Sequence, residues 1–392
     1  MNVPFLDLKA QYKALKQEID KKILEVIESQ KFILGSEVME LEKRIASYTG
    51  TKYAIGVSSG SDALIVSLMA LGIGKGHAVV TTPFTFFATV GAIVRVGARV
   101  IFCDIDKKTY NMDPESLEGV IKNEIKKKSS SKIKAIIPVH LYGQCADMAP
   151  ISASAQKYEL SVVEDAAQAI GAEYPSPTGV KSACGMGDLG TLSFFPSKNL
   201  GAWGDGGMIL TNNEKMAERV RILRVHGAQN KYFHDMIGGN FRLDAIQAAV
   251  LLVKLKYLDD WSQERRNNAL LYDRLIAETG LITSGIIELP DAVYRSSGVS
   301  RYHIYNQYVI RVKNREDLQK FLTSKGIATA VYYPLALHLQ NCFAHLGYKE
   351  GDFPETEKAT SEVLALPIYP ELSNDQQEYI VASIKEFYEI GK

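Results

Sequence analysis

The stretch YAIGVSSGSDALIVSLMALGIGKGHAVVT, Tyr53–Thr81, decides how this chain folds. Two short apolar runs, Tyr53–Val57 and His77–Thr81, flank a helical pattern over Asp62–Leu71. The alternation continues through Arg99–Cys103 (RVIFC), Ile133–Val139 (IKAIIPV), Leu160–Val163 (LSVV), Gly190–Phe195 (GTLSFF) and Met208–Thr211 (MILT), with another helical pattern at Thr85–Val96. Near-continuous apolar strands interleaved with helices predict a mostly parallel sheet covered on both faces.

Further along, Leu243–Trp261 (LDAIQAAVLLVKLKYLDDW) reads as one long amphipathic helix leaving this region. A Gly/Ser/Tyr-rich loop near Tyr294–Tyr302 follows, then a strand at Asn306–Val312, a helix at Arg315–Lys325, a strand at Ala328–Tyr333 and a terminal helix at Asn374–Tyr388. That is a smaller α+β unit, so the division is placed at 1–255 and 256–392. Asn123–Lys132 (NEIKKKSSSK) reads as a solvated surface loop.

Composition narrows the function. The chain has 392 residues, 46% of them hydrophobic, enough for a sizeable core. Lys+Arg and Asp+Glu each number 45, and this zero balance argues against a general nucleic-acid or membrane-surface binder while leaving room for one local anion site. The N-terminal MNVPFLDLKAQYKALKQEIDKKI turns polar at once, without the apolar centre of a signal peptide. No stretch approaches the roughly 20 apolar residues of a membrane span. Cys103, Cys145, Cys184 and Cys342 lie far apart and form no CxxC pair, so buried free thiols and a cytoplasmic location are expected. There is no HExxH and no Cys/His cluster, hence no expected metal.

Three segments carry candidate chemistry. In Val57–Leu64 (VSSGSDAL) a strand ends in small residues and Ser61-Asp62 opens a helix. Capping alone explains such residues, and the same geometry also binds anions. In Val162–Ala172 (VVEDAAQAIGA) a strand ends in Glu164 and Asp165, at the edge where parallel sheets bind ligands; a capping aspartate is the plain alternative. Gln168 is expected one helical turn beyond Asp165. In Ser193–Gly207 (SFFPSKNLGAWGDGG) a lone lysine, Lys198, follows an apolar strand and precedes a glycine-rich run. A surface lysine is the ordinary reading; a lysine shielded from water has a lowered pKa and becomes a nucleophile.

Together these segments resemble the DegT/DnrJ/EryC/StrS sugar-aminotransferase family of fold-type I pyridoxal-phosphate (PLP) enzymes. The likeness also covers FLDLKAQY (Phe5–Tyr12), FILGSEVMELE (Phe32–Glu42), PFTFFAT (Pro83–Thr89), FCDIDKKTYNMDP (Phe102–Pro114), IIPVHLYGQCADM (Ile136–Met148), GGNFRLDAIQAA (Gly238–Ala249) and LALPIYPELS (Leu364–Ser373). Ser61 departs from the family's usual threonine but keeps the hydroxyl.

The resemblance implies an α/β fold with a seven-stranded mixed sheet in the large domain and a smaller C-terminal α+β domain. It implies Lys198 as the Schiff-base lysine, Asp165 as partner of the pyridine nitrogen, and Gln168 on the ring's phenolic oxygen. Phe86 would stack on the ring, and Gly60, Ser61 and Ser193 would hold the phosphate. Asn240 would reach the phosphate of the other subunit of a homodimer, and Arg242 would serve the substrate's diphosphate. His234, with His226, brackets a segment the family places near the sugar; His303 and His338 are further substrate-side candidates, each set against a structural role. The implied reaction is transamination of a nucleotide-linked keto-sugar with glutamate as donor, feeding lipopolysaccharide, lipid A, capsule or antibiotic sugar synthesis. Asp205 and Leu243-Asp244 resemble the branch acting at the third carbon, which favours a UDP-linked 3-keto sugar derived from N-acetylglucosamine. The rivals are a 4-keto-sugar aminotransferase, a dehydratase branch with histidine in place of Lys198, and a non-catalytic PLP-binding regulator.

Overall fold

The computed structural model describes residues 1–127, 131–230 and 232–390. The N-terminal part runs α1 (Leu8–Ser29), α2 (Ser36–Thr49), β1 (Tyr53–Val57), α3 (Gly60–Ala70), β2 (His77–Thr81), α4 (Phe87–Arg95), β3 (Arg99–Phe102), α5 (Pro114–Lys126), β4 (Lys132–Ile136), α6 (Met148–Lys157) and β5 (Ser161–Asp165). A small hairpin, β6 (Glu173–Ser176) and β7 (Gly179–Ser182), leads to β8 (Leu189–Ser193), β9 (Gly207–Thr211), α7 (Glu214–Arg224) and a second hairpin, β10 (Ala228–Asn230) and β11 (Phe233–His234). α8 (Ala245–Lys254) follows, and the C-terminal part then comprises α9 (Leu258–Glu278), β12 (Ile287–Glu288), β13 (Tyr308–Val312), α10 (Arg315–Ser324), α11 (Pro354–Glu362), β14 (Val363–Leu366) and α12 (Asn374–Ile390).

Seven strands form one sheet in the order β1-β9-β8-β5-β4-β2-β3. All neighbours are parallel except the two pairings made by β9. Side chains of a strand alternate between faces, and here both faces are covered: Ala78 and Val80 enter one apolar cluster while Val79, between them, enters the other. This is why the strands read as continuous apolar runs. A three-stranded antiparallel sheet, β12-β13-β14, carries the C-terminal core, where Tyr272 and Ile276 of α9, Leu318 of α10 and Ile384 of α12 pack with Tyr308 and Ile310 of β13. Val3 belongs to this second core, bridging Ile327 in parallel, so the chain's first residues pack with the part numbered 256–392.

The structure departs from the sequence reading at several elements. The single helix over Leu243–Trp261 is two helices separated by a 3₁₀ turn at Leu255–Tyr257. The reason is that they serve different cores: Val250 and Val253 of α8 pack on Leu15 and Ile19 of α1, while α9 faces the C-terminal sheet. Ala328–Tyr333 is not a strand; Ala330 makes one isolated bridge to Ala365, and the residues after it turn to line a cavity. The lysine-rich segment is helical through Lys126, and its residues 128–130 lie outside the described residues. Three thiols are buried, but Cys342 is exposed. Among the described residues no helix is long and apolar enough to cross a membrane.

Candidate active site

At the C-terminal edge of the large sheet lies a cavity of about 490 Å³. Its first wall is the start of α3. Ser59, rather than Ser61-Asp62, caps this helix: its Oγ accepts from the Asp62 N–H at 3.0 Å, and the Asp62 carboxylate in turn accepts from the Ser58 and Ser59 hydroxyls. The first helical N–H groups, on Gly60 and Ser61, have no helical carbonyl behind them, and the helix dipole is positive there, which suits an anion. Two glycines bring the neighbouring elements into contact. A Cβ on Gly60 would stand 2.6 Å from Ser193 Cβ, and one on Gly207 would stand 2.3 Å from the Ser59 carbonyl oxygen. The helix start, the end of β8 and the start of β9 therefore converge, placing Gly60, Ser61 and Ser193 on one cradle.

The second wall comes from β5. Successive strand residues face opposite ways, and the two carboxylates separate accordingly. Glu164 is fully buried and fully engaged: it pairs with His140 Nε2 at 2.9 Å and accepts from the backbone N–H groups of Cys184, Met186 and Gly187. Asp165 faces the cavity, where its Oδ2 accepts from Thr89 Oγ1 at 2.8 Å and its Oδ1 from the Ala167 N–H at 3.2 Å. Gln168 follows on a turn, not a helix; its Oε1 accepts from the Tyr142 N–H at 2.7 Å and its Nε2 donates to the Tyr333 hydroxyl at 3.2 Å.

Lys198 enters the same cavity from the loop after β8. Desolvation lowers its pKa to about 8, and the negative charge of Asp165 opposes that shift. At neutral pH such an amine is more often unprotonated than a surface lysine, as a nucleophile requires. Phe86, 58% exposed, presents its ring at the cavity edge.

The other sequence candidates lie elsewhere. His303 is buried, stacked on Tyr305, accepts from the Tyr305 N–H through Nδ1, and has its pKa lowered to about 3 by burial and by Arg295 and Arg266. His338 is buried against Phe353 and bonded to Glu357, with burial lowering its pKa. Neither ring lines the cavity; in this subunit His303 packs on Tyr305 and His338 on Phe353. His234 and Asn240 are exposed and Arg242 is half-buried, on and after the β10–β11 hairpin, and none lines this subunit's own cavity. Arg242 runs antiparallel beside Val57, at the foot of the α3 turn.

Sequence reasoning missed Thr89, Gln307 and Tyr333. Thr85 and Thr89, four apart at the start of α4, were visible as a pair within PFTFFAT; nothing local marked Gln307 or Tyr333, which the C-terminal part brings to the cavity.

An amide cradle for phosphate, a carboxylate for a ring nitrogen, an apolar ring and a lysine amine fit PLP, and the fold is that of the PLP-dependent aminotransferases. Residues 13–385 match the DegT/DnrJ/EryC1/StrS aminotransferase family, and the chain belongs to it. It is 51% identical over 388 residues to a protein of Geobacillus stearothermophilus named pleiotropic regulatory protein, covering 99% of each chain. It is 40% identical to the UDP-2-acetamido-2-deoxy-3-oxo-D-glucuronate aminotransferase of Pseudomonas aeruginosa, covering 97% of this chain and 99% of that one. Among solved structures, an aminotransferase of the family from Brucella abortus superposes with a TM-score of 0.89 at 36% identity, covering 98% of this chain and 99% of that one. The chain is a PLP-dependent nucleotide-sugar aminotransferase.

Proposed function

We propose that this enzyme transfers an amine to the third carbon of a UDP-linked 3-keto sugar of the N-acetylglucosamine type, with glutamate as donor. The observation that carries the assignment is that the two segments resembling those of third-carbon enzymes adjoin at the cavity wall. Asp205 lines the cavity, and Leu243 packs beneath the adjacent glycine: a Cβ on Gly206 would meet Leu243 Cδ1 at 3.1 Å. The 3-oxo substrate in the name of the Pseudomonas relative supports the same carbon.

PLP supplies an aldehyde that condenses with amines and a ring that accepts electron density. In this reading Lys198 Nζ would hold the cofactor and would carry the proton to and from the substrate carbon. Asp165, oriented by Thr89, keeps the ring nitrogen protonated. Gln168 binds the phenolic oxygen, Phe86 covers a ring face, and Gly60, Ser61 and Ser193 hold the phosphate. Asn240 and Arg242 act in the partner subunit of a homodimer, with His234 near its sugar. Support comes from the hairpin and the residues just after it, where Phe233 (73%) and Ile237 (91%) are exposed apolar side chains that a partner surface would cover. The same reading places the enzyme in the cytoplasm.

The name of the Geobacillus relative motivates a second reading, in which the PLP-binding fold serves regulation. Retention of Lys198, Asp165 and Gln168 around one cavity favours catalysis. The test is the product's NMR spectrum after incubation with matched 3-keto and 4-keto sugars on UDP and dTDP. An amine at the third carbon of the UDP sugar is expected. An amine at the fourth carbon, with the 3-keto compound inert, overturns the assignment.

A further inference from the structure

We propose that α8 is the positioning element for the lysine loop: Lys254 and Gln247 hold the backbone of Gly201–Trp203, and through it fix where Lys198 stands in the cavity. Lys254 is 3% exposed, and among the described residues no carboxylate lies within ion-pair distance of it. Its Nζ donates instead to the Gly201 carbonyl at 2.7 Å. Burying an ammonium without a counter-ion is costly. Its place in the last turn of α8, at the negative end of the helix dipole, offsets part of that cost.

Gln247, two turns earlier on α8, grips the next residues. Its Oε1 accepts from the Trp203 N–H at 2.9 Å, and its Nε2 donates to the Trp203 carbonyl at 3.4 Å. The loop has little freedom to escape. A Cβ on Gly201 would stand 2.3 Å from the Pro196 carbonyl oxygen, so Gly201 folds back onto the residue that precedes Ser197-Lys198. Leu200 and Ala202, on either side, are fully buried in the same cluster as Leu251 of α8. The segment from Pro196 to Trp203 is thus closed at one point by the glycine and tied to α8 at two others.

This inference rests on Lys198 as the cofactor lysine, and its test separates the two. Lys254→Met keeps the buried stem and removes the donor. Hydrogen–deuterium exchange of the full chain without PLP should rise about tenfold in residues 199–206, the equivalent of one lost hydrogen bond, and stay unchanged in β13. In the holoenzyme kcat should fall while KM for the sugar holds, and Lys254→Arg should restore loop protection. Wild-type exchange in the loop of Lys254→Met, or an equal rise throughout the chain, overturns the proposal. If that variant does not fold, Gln247→Leu should accelerate exchange at Trp203 and Gly204, and unchanged exchange there overturns it. Borohydride trapping with PLP reads the premise: label on another lysine overturns the reading of Lys198 and this inference with it, whereas label on Lys198 with unchanged loop exchange overturns the α8 role alone.

Discussion

Thr89 Oγ1 donates to Asp165 Oδ2 at 2.8 Å, and because a hydroxyl has one proton, the 3.0 Å contact with Thr85 Oγ1 has Thr85 donating to Thr89. The relay orders Asp165 from the α4 side. Thr89→Val deletes the donor and leaves a buried acceptor unpaired, a loss of about 1–3 kcal/mol. Transamination should fall by about fivefold to 150-fold. Thr89→Ser, which keeps the hydroxyl, should stay near wild type. Steady-state kinetics of the two variants check this; equal activity of the valine variant refutes the relay.

Lys198→Ala should abolish both turnover and the near-ultraviolet or visible band of lysine-bound PLP, a band that the proposed donor glutamate should shift in the wild type. Circular dichroism should show the fold intact, because the loop's anchors to α8 and to the core do not involve this side chain. A variant that transaminates at the wild-type rate removes Lys198 from the mechanism.

The lowered pKa of Lys198, about 8, has a testable sign. Its neutral amine is the reactive form, so capture of PLP by enzyme stripped of cofactor should accelerate as pH rises through about 8 and level off above. Asp165 pulls that pKa upward, so Asp165→Asn should move the midpoint below that of the wild type. Stopped-flow absorbance reads both. A wild-type midpoint near the ordinary lysine value of 10.5, or an upward shift in the asparagine variant, contradicts the assignment.

Asn240 and Arg242 do not line the cavity of their own subunit, so their proposed roles require a partner. Mixing inactive Lys198→Ala with inactive Asn240→Ala should restore part of the activity after subunit exchange, because one of the two hybrid sites then holds every group intact. An active monomer in sedimentation, or no recovery after proven exchange, refutes the shared site.

The sequence showed the large sheet because both its faces are buried: runs such as HAVVT carry consecutive apolar residues, Ala78 to Val80, where a half-exposed strand would alternate, and that is a local signal. It showed Asp165 and Lys198 because their motifs are contiguous. It did not show that α8 ends at Lys254, since the apolar pattern continues unbroken while the core it serves changes. Nor did it show that His303 and His338 are packed, or that Gln307 and Tyr333 reach the cavity. Burial and cavity lining depend on chain segments far apart in sequence: Lys198 shares its cavity with Gln307 and Tyr333, more than 100 positions away, which no local window contains.

The packing of Leu243 against Gly206 gives a prediction about the sugar. A Cβ on Gly206 would approach Leu243 Cδ1 to 3.1 Å and Phe194 Cβ to 3.3 Å, tighter than ordinary contact. Both neighbours are buried, so neither has room to yield, and the adjustment falls on the backbone that carries Asp205. Gly206→Ala should therefore move Asp205 at the cavity wall without touching Lys198 or Asp165. The two half-reactions separate the consequences. Amine transfer from glutamate depends on the lysine and the cofactor and should proceed near the wild-type rate. Transfer to the sugar depends on how the sugar lies over the reactive carbon, where a displacement of about 1 Å costs up to about a hundredfold. Single-turnover measurements of each half-reaction should show loss confined to the second. Equal losses in both would place Gly206 in the support of the cofactor, and Asp205 would no longer mark the sugar's carbon.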